Sequence, residues 1–352
     1  MPDYSIGARV LHHMALDWPI MGEMAFDVER SLFLKSSPDP IPGKHVFVSG
    51  LARAGTTILM REVHKSDQFA SLTYADMPFV LCPNAWNIIS RRSSKERPAE
   101  ERAHGDGILV DVNSPEALDE VFWRVFARQE YIKCDGLYPH TPDEETLSYY
   151  RDYIRLVLRH RKKTRYLSKN NNNILRISAL HRQFPNAVFL VPVREPLSHA
   201  QSLLSQHRRF LSRNGITRRY MIWLGHHEFG AAHRPFVLDA GSARFTDASS
   251  LDYWLEQWVR CYSYLDQVSQ VCRDRTYFVP YESLCNLPVV WKRITEVIDV
   301  DDQGTTQFKK SEKTVEESPD PQMTKTAGDL YSRIRQRALE KLGVDTQDLA
   351  SS

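Results

Sequence analysis

The strongest chemical signal in the chain is one loop. Gly50-Leu51-Ala52-Arg53-Ala54-Gly55 is followed by Thr56-Thr57 and preceded by the apolar run Val46-Phe47-Val48. A strand, a glycine-bounded loop and an amphipathic helix continuing through Leu59 and Val63 gather free backbone N–H groups and a helix dipole around one point. That arrangement holds phosphate. The spacing Gly50-x4-Gly55 matches a Walker loop, except that Thr56 stands where such a loop carries its lysine. A loop without that lysine lacks the grip on β- and γ-phosphates, so it points to another nucleotide, handled without magnesium.

A second cluster follows another apolar strand, Ala187 to Val193, as Arg194-Glu195-Pro196 with Ser202 two helical turns further on. Open parallel sheets present ligands at the carboxyl ends of their strands, which is where Arg194 falls. A guanidinium and a hydroxyl there suit a second phosphate. A nucleotide with phosphates at two separated positions fits the pair of sites better than ATP does.

The elements that must position these groups can be read in order. Val10, Leu11, Met14 and Trp18 have helical spacing up to Pro19, and a looser pattern runs to Leu32 before the turn-rich 36–43. A strand is expected at 45–49, a helix at 56–66, and a short apolar stretch at Phe69 to Thr73. Residues 91–107 are polar and of mixed charge, the pattern of an exposed loop. Helical periodicity returns at 115–128 and 143–160. Tyr166-Leu167-Ser168 is a short strand, and four asparagines after Lys169 make a strand-to-helix turn. Helix 174–183, strand 187–193 and helix 196–209 follow, and 210–248 reads as irregular. Ser249-Ser250 can cap a helix over 251–272; a strand at 277–279 and helices at 282–299 and 324–343 complete the chain. Apolar strands alternating with helices predict an α/β fold, a central parallel sheet flanked by helices. The expected organisation is one domain over 1–352. It comprises a leading helical segment (1–43), a P-loop-like core (44–300) with insertions near 80–150 and 208–250, and a C-terminal tail and helix (301–352).

Composition excludes several classes. With 46 basic against 44 acidic residues the net charge is +2, which gives no global reason to bind nucleic acid. No segment is long and apolar enough to span a membrane, and no secretory leader is evident at Met1 to Glu23. Five scattered cysteines without a CxxC pair read as reduced thiols of a cytoplasmic protein, and Cys82 and Cys134 have no activating neighbours. His226, His227 and His233 lack the companion spacing of a metal site and read as structural or surface residues, so no metal is expected. Trp254 and Trp258 read as core.

Taken together, the motifs resemble those of sulfotransferases that use 3′-phosphoadenosine 5′-phosphosulfate (PAPS), most of all the tyrosylprotein-type and related bacterial enzymes. The resemblance rests on the Gly50–Thr57 loop and on Val193-Arg194-Glu195-Pro196 through Ser202. It rests also on Ser168-Lys169 with the asparagine run, and on Tyr281-Glu282-Ser283-Leu284. It covers roughly 45–78 and 166–299. It implies that the N–H groups of Arg53, Ala54, Gly55, Thr56 and Thr57, with both threonine hydroxyls, hold the 5′-phosphosulfate. Arg194 and Ser202 would then bind the 3′-phosphate and Tyr281 would lie against the nucleotide. Arg53 replaces a loop lysine, and Lys169 matches a lysine on the transferring group. Asp76 lies close to where the tyrosylprotein type carries its glutamate, which makes it the expected base. Sulfuryl transfer builds negative charge on the bridging oxygen, so two preorganised cations there would lower the barrier.

The implied reaction moves a sulfuryl group to a hydroxyl or amine and releases adenosine 3′,5′-bisphosphate. Small-molecule, carbohydrate, lipid and peptide acceptors all stay open, as does the oligomeric state. A kinase-like phosphotransferase and a non-catalytic nucleotide-binding protein are the competing readings.

Overall fold

The computed structural model describes residues 6–90, 100–101, 109–110, 114–213, 215–241, 243–301, 308–309 and 319–344. Two helices lead: α1 (Ile6–Asp17) and α2 (Pro19–Phe33). Pro19 does not merely end the first helix. It occupies the first turn of the second, where its missing N–H is no loss. Phe26, on the inner face of α2, is fully buried among Phe122, Phe126 and Tyr153.

Strand β1 (Val46–Val48) enters the glycine loop, and α3 (Thr56–His64) leaves it. Next come β2 (Phe69–Ala70) and α4 (Pro83–Ser90). The carboxylate of Glu29 on α2 accepts hydrogen bonds from the backbone N–H groups of Asn84 and Ala85 and from the Asn84 side chain. A buried side chain from one helix thus caps the amino end of another. Most of the expected 91–107 loop lies outside the described residues. Within it lies β3 (Glu100–Glu101), which pairs antiparallel with β4 (Leu109–Val110) just beyond it.

The periodic stretch near 115–128 forms α5 (Glu120–Phe126) and is followed by a short α6 (Arg128–Tyr131). Helix α7 (Glu144–Arg161) begins at Asp143, whose side chain accepts the Thr146 N–H. Strand β5 (Arg165–Lys169) leads into a 3₁₀ turn over the asparagines, and α8 (Ile177–Gln183) continues it. Strand β6 (Val188–Val193) gives way to α9 (Pro196–Leu211). The segment expected to be irregular contains α10 (Gly215–Trp223). Its buried face, Thr217, Tyr220, Met221 and Trp223, is interrupted in sequence by Arg218 and Arg219, which hides the period. Helix α11 (Leu251–Val271) starts at the Ser250 cap and buries both Trp254 and Trp258. After β7 (Thr276–Pro280) the expected 282–299 helix divides into α12 (Tyr281–Asn286) and α13 (Pro288–Val297), because Pro288 opens a new first turn. Helix α14 (Pro321–Lys341) packs along α11 and β7.

Five strands form one parallel sheet in the order β2-β5-β1-β6-β7. Residues alternate between its faces. On one face Phe47, Tyr166, Phe189 and Val191 meet α5, α7, α8 and α11, with Phe47 stacked on Phe189 at 5.2 Å. On the other, Val46, Val48, Leu167 and Leu190 meet Leu59 and Val63 of α3 and Val290 and Ile294 of α13. Helix, sheet, helix: this is the expected three-layer α/β fold.

Candidate functional site

β1 lies at the centre of the sheet, and its carboxyl end delivers the glycine loop. Its neighbours deliver the other candidates from the same edge. β5 ends at Lys169, β6 is followed by Arg194, and β7 is followed by Tyr281. Four separate stretches of sequence therefore converge because parallel strands present their carboxyl ends together.

The loop is bent by left-handed residues at Arg53 (φ 69°) and Gly55 (φ 97°), a curl suited to holding an anion on backbone N–H groups. Side chains from β6–α9 fix its outward carbonyls. His199 Nε2 donates to the Ala52 carbonyl at 2.8 Å, and Arg194 Nη1 donates to that of Arg53 at 3.1 Å. Burial, with help from the Arg194 charge, lowers His199 to about 3, so the ring stays neutral as it does this. Gly55 is required twice over. Its φ is one that residues with a side chain rarely adopt, and a Cβ there would sit 2.6 Å from the Tyr281 ring, which packs against the loop. Ala54 and Thr56 are buried within the turn, and Thr57 follows in the first turn of α3.

Arg53 Nε donates to Ser202 Oγ at 3.3 Å, so the loop arginine and the α9 serine meet across 149 positions of sequence. Arg194 is 7% exposed, and its Nε has no hydrogen-bond partner among the described residues. The carboxylate of Glu282 lies 3.9 Å away but already accepts from the Glu195 N–H and the Tyr331 hydroxyl. A buried guanidinium so incompletely neutralised fits an anionic group.

The flank on the other side of β1 is built differently. Lys169 is buried at the register of Val48. Beside it, Ser168 Oγ donates to Asp119 at 2.5 Å, and Asn170 Nδ2 donates to Glu120 at 2.7 Å. Glu120 is also gripped by both terminal nitrogens of the fully buried Arg176 and by the Tyr131 hydroxyl. Burial opposes ionisation of Glu120, yet the Arg176 charge together with the hydrogen bonds from Arg176, Tyr131 and Asn170 outweighs it and holds the carboxyl below its usual range. Asp119, with no such cation, is pushed up to about 6 by burial.

Asn171 connects this flank to the loop. Its Oδ1 lies 3.5 Å from the Thr56 hydroxyl, and its Nδ2 donates to Glu228 Oε1 at 2.9 Å. Glu228 in turn sits 3.6 Å from His226 Nδ1. No functional role for His226 is legible in the sequence, since a His-x-Glu pair in a stretch without periodicity carries little signal. His227 and His233 are engaged elsewhere, with the Ala232 carbonyl and the Tyr253 hydroxyl. No group of three or more His, Cys, Asp and Glu side chains able to hold a metal exists among the described residues.

Asp76 lies beyond the end of β2. It accepts from the Thr73 N–H at 2.7 Å and from Arg161 at 2.5 Å, and its other oxygen faces His160 Nε2 at 3.1 Å. Burial favours its neutral form, but His160 and Arg161 outweigh that and hold the carboxyl below its usual range. Both oxygens are engaged, which weighs against Asp76 serving as a base.

A model of the sulfotransferase family matches residues 45–303, most of the chain and every candidate above. The chain belongs to the sulfotransferase family. The sulfotransferase fold is seen also in a Mycobacterium avium sulfotransferase, 14% identical with a TM-score of 0.50, over 98% of this chain and 88% of that one. A Mycobacterium tuberculosis sulfotransferase is 12% identical with a TM-score of 0.49, over 92% and 82% of the two chains. No curated protein sequence matches. Among the described residues of this sulfotransferase no helix is long and apolar enough to cross a membrane.

Proposed function

We propose that this sulfotransferase transfers a sulfuryl group from PAPS to an acceptor hydroxyl or amine. The observation that carries the reading is the pairing of two anion sites at one sheet edge, the Gly50–Thr57 loop and the under-neutralised Arg194. Such a pair suits a donor with phosphates at its 5′ and 3′ positions. When bound, PAPS would supply the activated sulfuryl group, and the chain's residues would hold and polarise it. The N–H groups of Arg53 to Thr57, with the Thr56 and Thr57 hydroxyls, face the 5′ end. Arg194 and Ser202 take the 3′-phosphate, while Tyr281, wedged on Gly55, closes the nucleotide side.

Arg53 and Lys169 supply positive charge from opposite sides of the loop. Charge accumulates on the bridging oxygen as the S–O bond breaks, so cations fixed in a buried site stabilise that stage more than the ground state. Thr56 stands where an ATP-binding loop carries its lysine, and the charge comes from Arg53 instead, which favours a phosphosulfate donor over ATP with magnesium.

Calorimetry tests the reading directly. Adenosine 3′,5′-bisphosphate is expected to bind without added metal and more tightly than ATP with Mg²⁺. The reverse preference would favour a phosphotransferase.

A further inference from the structure

A base for the acceptor's proton must have an accessible lone pair near the donor loop. Asp76 meets that requirement poorly, because Thr73, His160 and Arg161 already occupy both its oxygens. Glu228 and His226 meet it better. A continuous path runs from the loop to the imidazole: Thr56 hydroxyl, Asn171 amide, Glu228 carboxylate, His226 Nδ1. Asn171, which holds Glu228, lies two residues after Lys169, so the pair is tied to the segment that carries the residue expected at the transferring group. Glu228 Oε1 serves Asn171 and faces His226, while its buried Oε2 has no partner among the described residues. The His226 side chain retains 18% exposure, and no hydrogen bond to its Nε2 is formed among the described residues.

We propose that His226, oriented through Nδ1 by Glu228, accepts the acceptor's proton at Nε2. This rests on the sulfuryl-transfer reading above. The acceptor's O–H or N–H bond breaks, and its proton passes to His226. The acceptor atom bonds to sulfur as the bridging S–O bond breaks, and that electron pair leaves with adenosine 3′,5′-bisphosphate towards Lys169 and Arg53. The proton on His226 is then lost to solvent. Glu228 touches no reacting atom; it is a positioning residue that fixes the tautomer and stabilises the imidazolium. Among the described residues, the charges that act on His226 come from Glu228 on its own segment, Lys169 at the end of β5 and Glu116 ahead of α5. Burial works against protonation, but Glu228 outweighs it and holds the imidazole above its ordinary range.

The test uses the full chain with ¹⁵N-labelled histidine, titrated by NMR with and without adenosine 3′,5′-bisphosphate. Calorimetry follows binding of the same ligand, and labelled PAPS with 2-naphthol, a phenol that keeps its proton at neutral pH, follows transfer. His226 is expected to titrate above its ordinary range, and to move further up when the strongly anionic bisphosphate binds. Glu228→Gln should bring the titration down, and Glu228→Asp should restore part of it. His226→Gln should lower kcat by about a hundredfold or more while leaving bisphosphate affinity nearly unchanged. Asp76→Asn should leave the His226 titration in place.

A His226 resonance that ignores a ligand seen to bind by calorimetry would overturn the inference. So would transfer by His226→Gln within about twofold of the parent. Absence of any bisphosphate heat in the parent protein would instead remove the donor reading on which the inference stands.

Discussion

The two flanks of β1 approach the same sheet edge by different means. On the β6 side, the loop is shaped by its own backbone, with left-handed turns at Arg53 and Gly55 and carbonyls pinned by His199 and Arg194. On the β5 side, the groups are held by ionised and amide side chains. Ser168 leans on Asp119, Asn170 on Glu120 and Arg176, and Asn171 on Glu228. Backbone sites draw on glycine, helix dipoles and short spacings, whereas side-chain networks draw on partners far apart in sequence. The first kind is expected to tolerate loss of a surrounding charge. The second is not, since removing one member strands the others in a low-dielectric interior.

The sharpest break in that contrast would come at Glu120. Glu120→Gln leaves Arg176 buried without its counter-charge, and urea unfolding should show a loss of about 3–5 kcal/mol. A change no larger than that of a surface substitution would mean the β5 flank is not held by its ion pair.

Lys169→Met comes next. Transfer of labelled sulfate should slow by about 10²–10³-fold, roughly 2.7–4 kcal/mol, with bisphosphate affinity far less affected. Equal losses in both would assign Lys169 to binding rather than to charge development. On the opposite flank, Arg194→Ala should weaken bisphosphate by about 1.5–3 kcal/mol in calorimetry, with little change in thermal unfolding. If the affinity is unmoved, the second anion site is not at Arg194.

The last effect is one of pH. Burial raises the folded Asp119 to about 6 from an ordinary 3.8. A carboxyl raised in this way contributes stability below its unfolded value, and that contribution is lost as pH rises through its folded value. Asp119→Asn should therefore gain on the parent protein as pH climbs from about 4 to about 7, as followed by urea unfolding at each pH. A flat difference across that window would show that Asp119 ionises freely.

The same contrast explains what could be read in the chain beforehand. The strands of the parallel sheet, α3, α7, α9 and α11 were legible from apolar period and caps, as in Asp143 ahead of α7 and Ser250 ahead of α11, whereas the β3–β4 pair was not. The Gly50 loop and Arg194 were legible because a backbone site writes its requirements into adjacent residues. α10 was not, since Arg218 and Arg219 interrupt its buried face. Nor was the pairing of Asn171 with Glu228, or of Asn170 with Glu120, because these partners lie 57 and 50 positions apart and no local pattern links them. Asp76 shows the converse. Its position in sequence was suggestive, but its surroundings, Arg161 and His160 from the end of α7, could only be seen in three dimensions.

The buried carboxylate of Glu29 gives the chain a boundary that similarity does not mark. The match to the family begins at residue 45, yet the amino end of α4 inside that region is closed by a side chain from outside it. Arg30, one position on, pairs with Asp152 of α7 at 2.9 Å. Trimming the protein to its matching region would open the first amides of α4 and leave Asp152 without its Arg30 partner. The smallest piece that folds as the native protein does should accordingly retain α2, and the limits of shared ancestry and of mechanical integrity fall in different places.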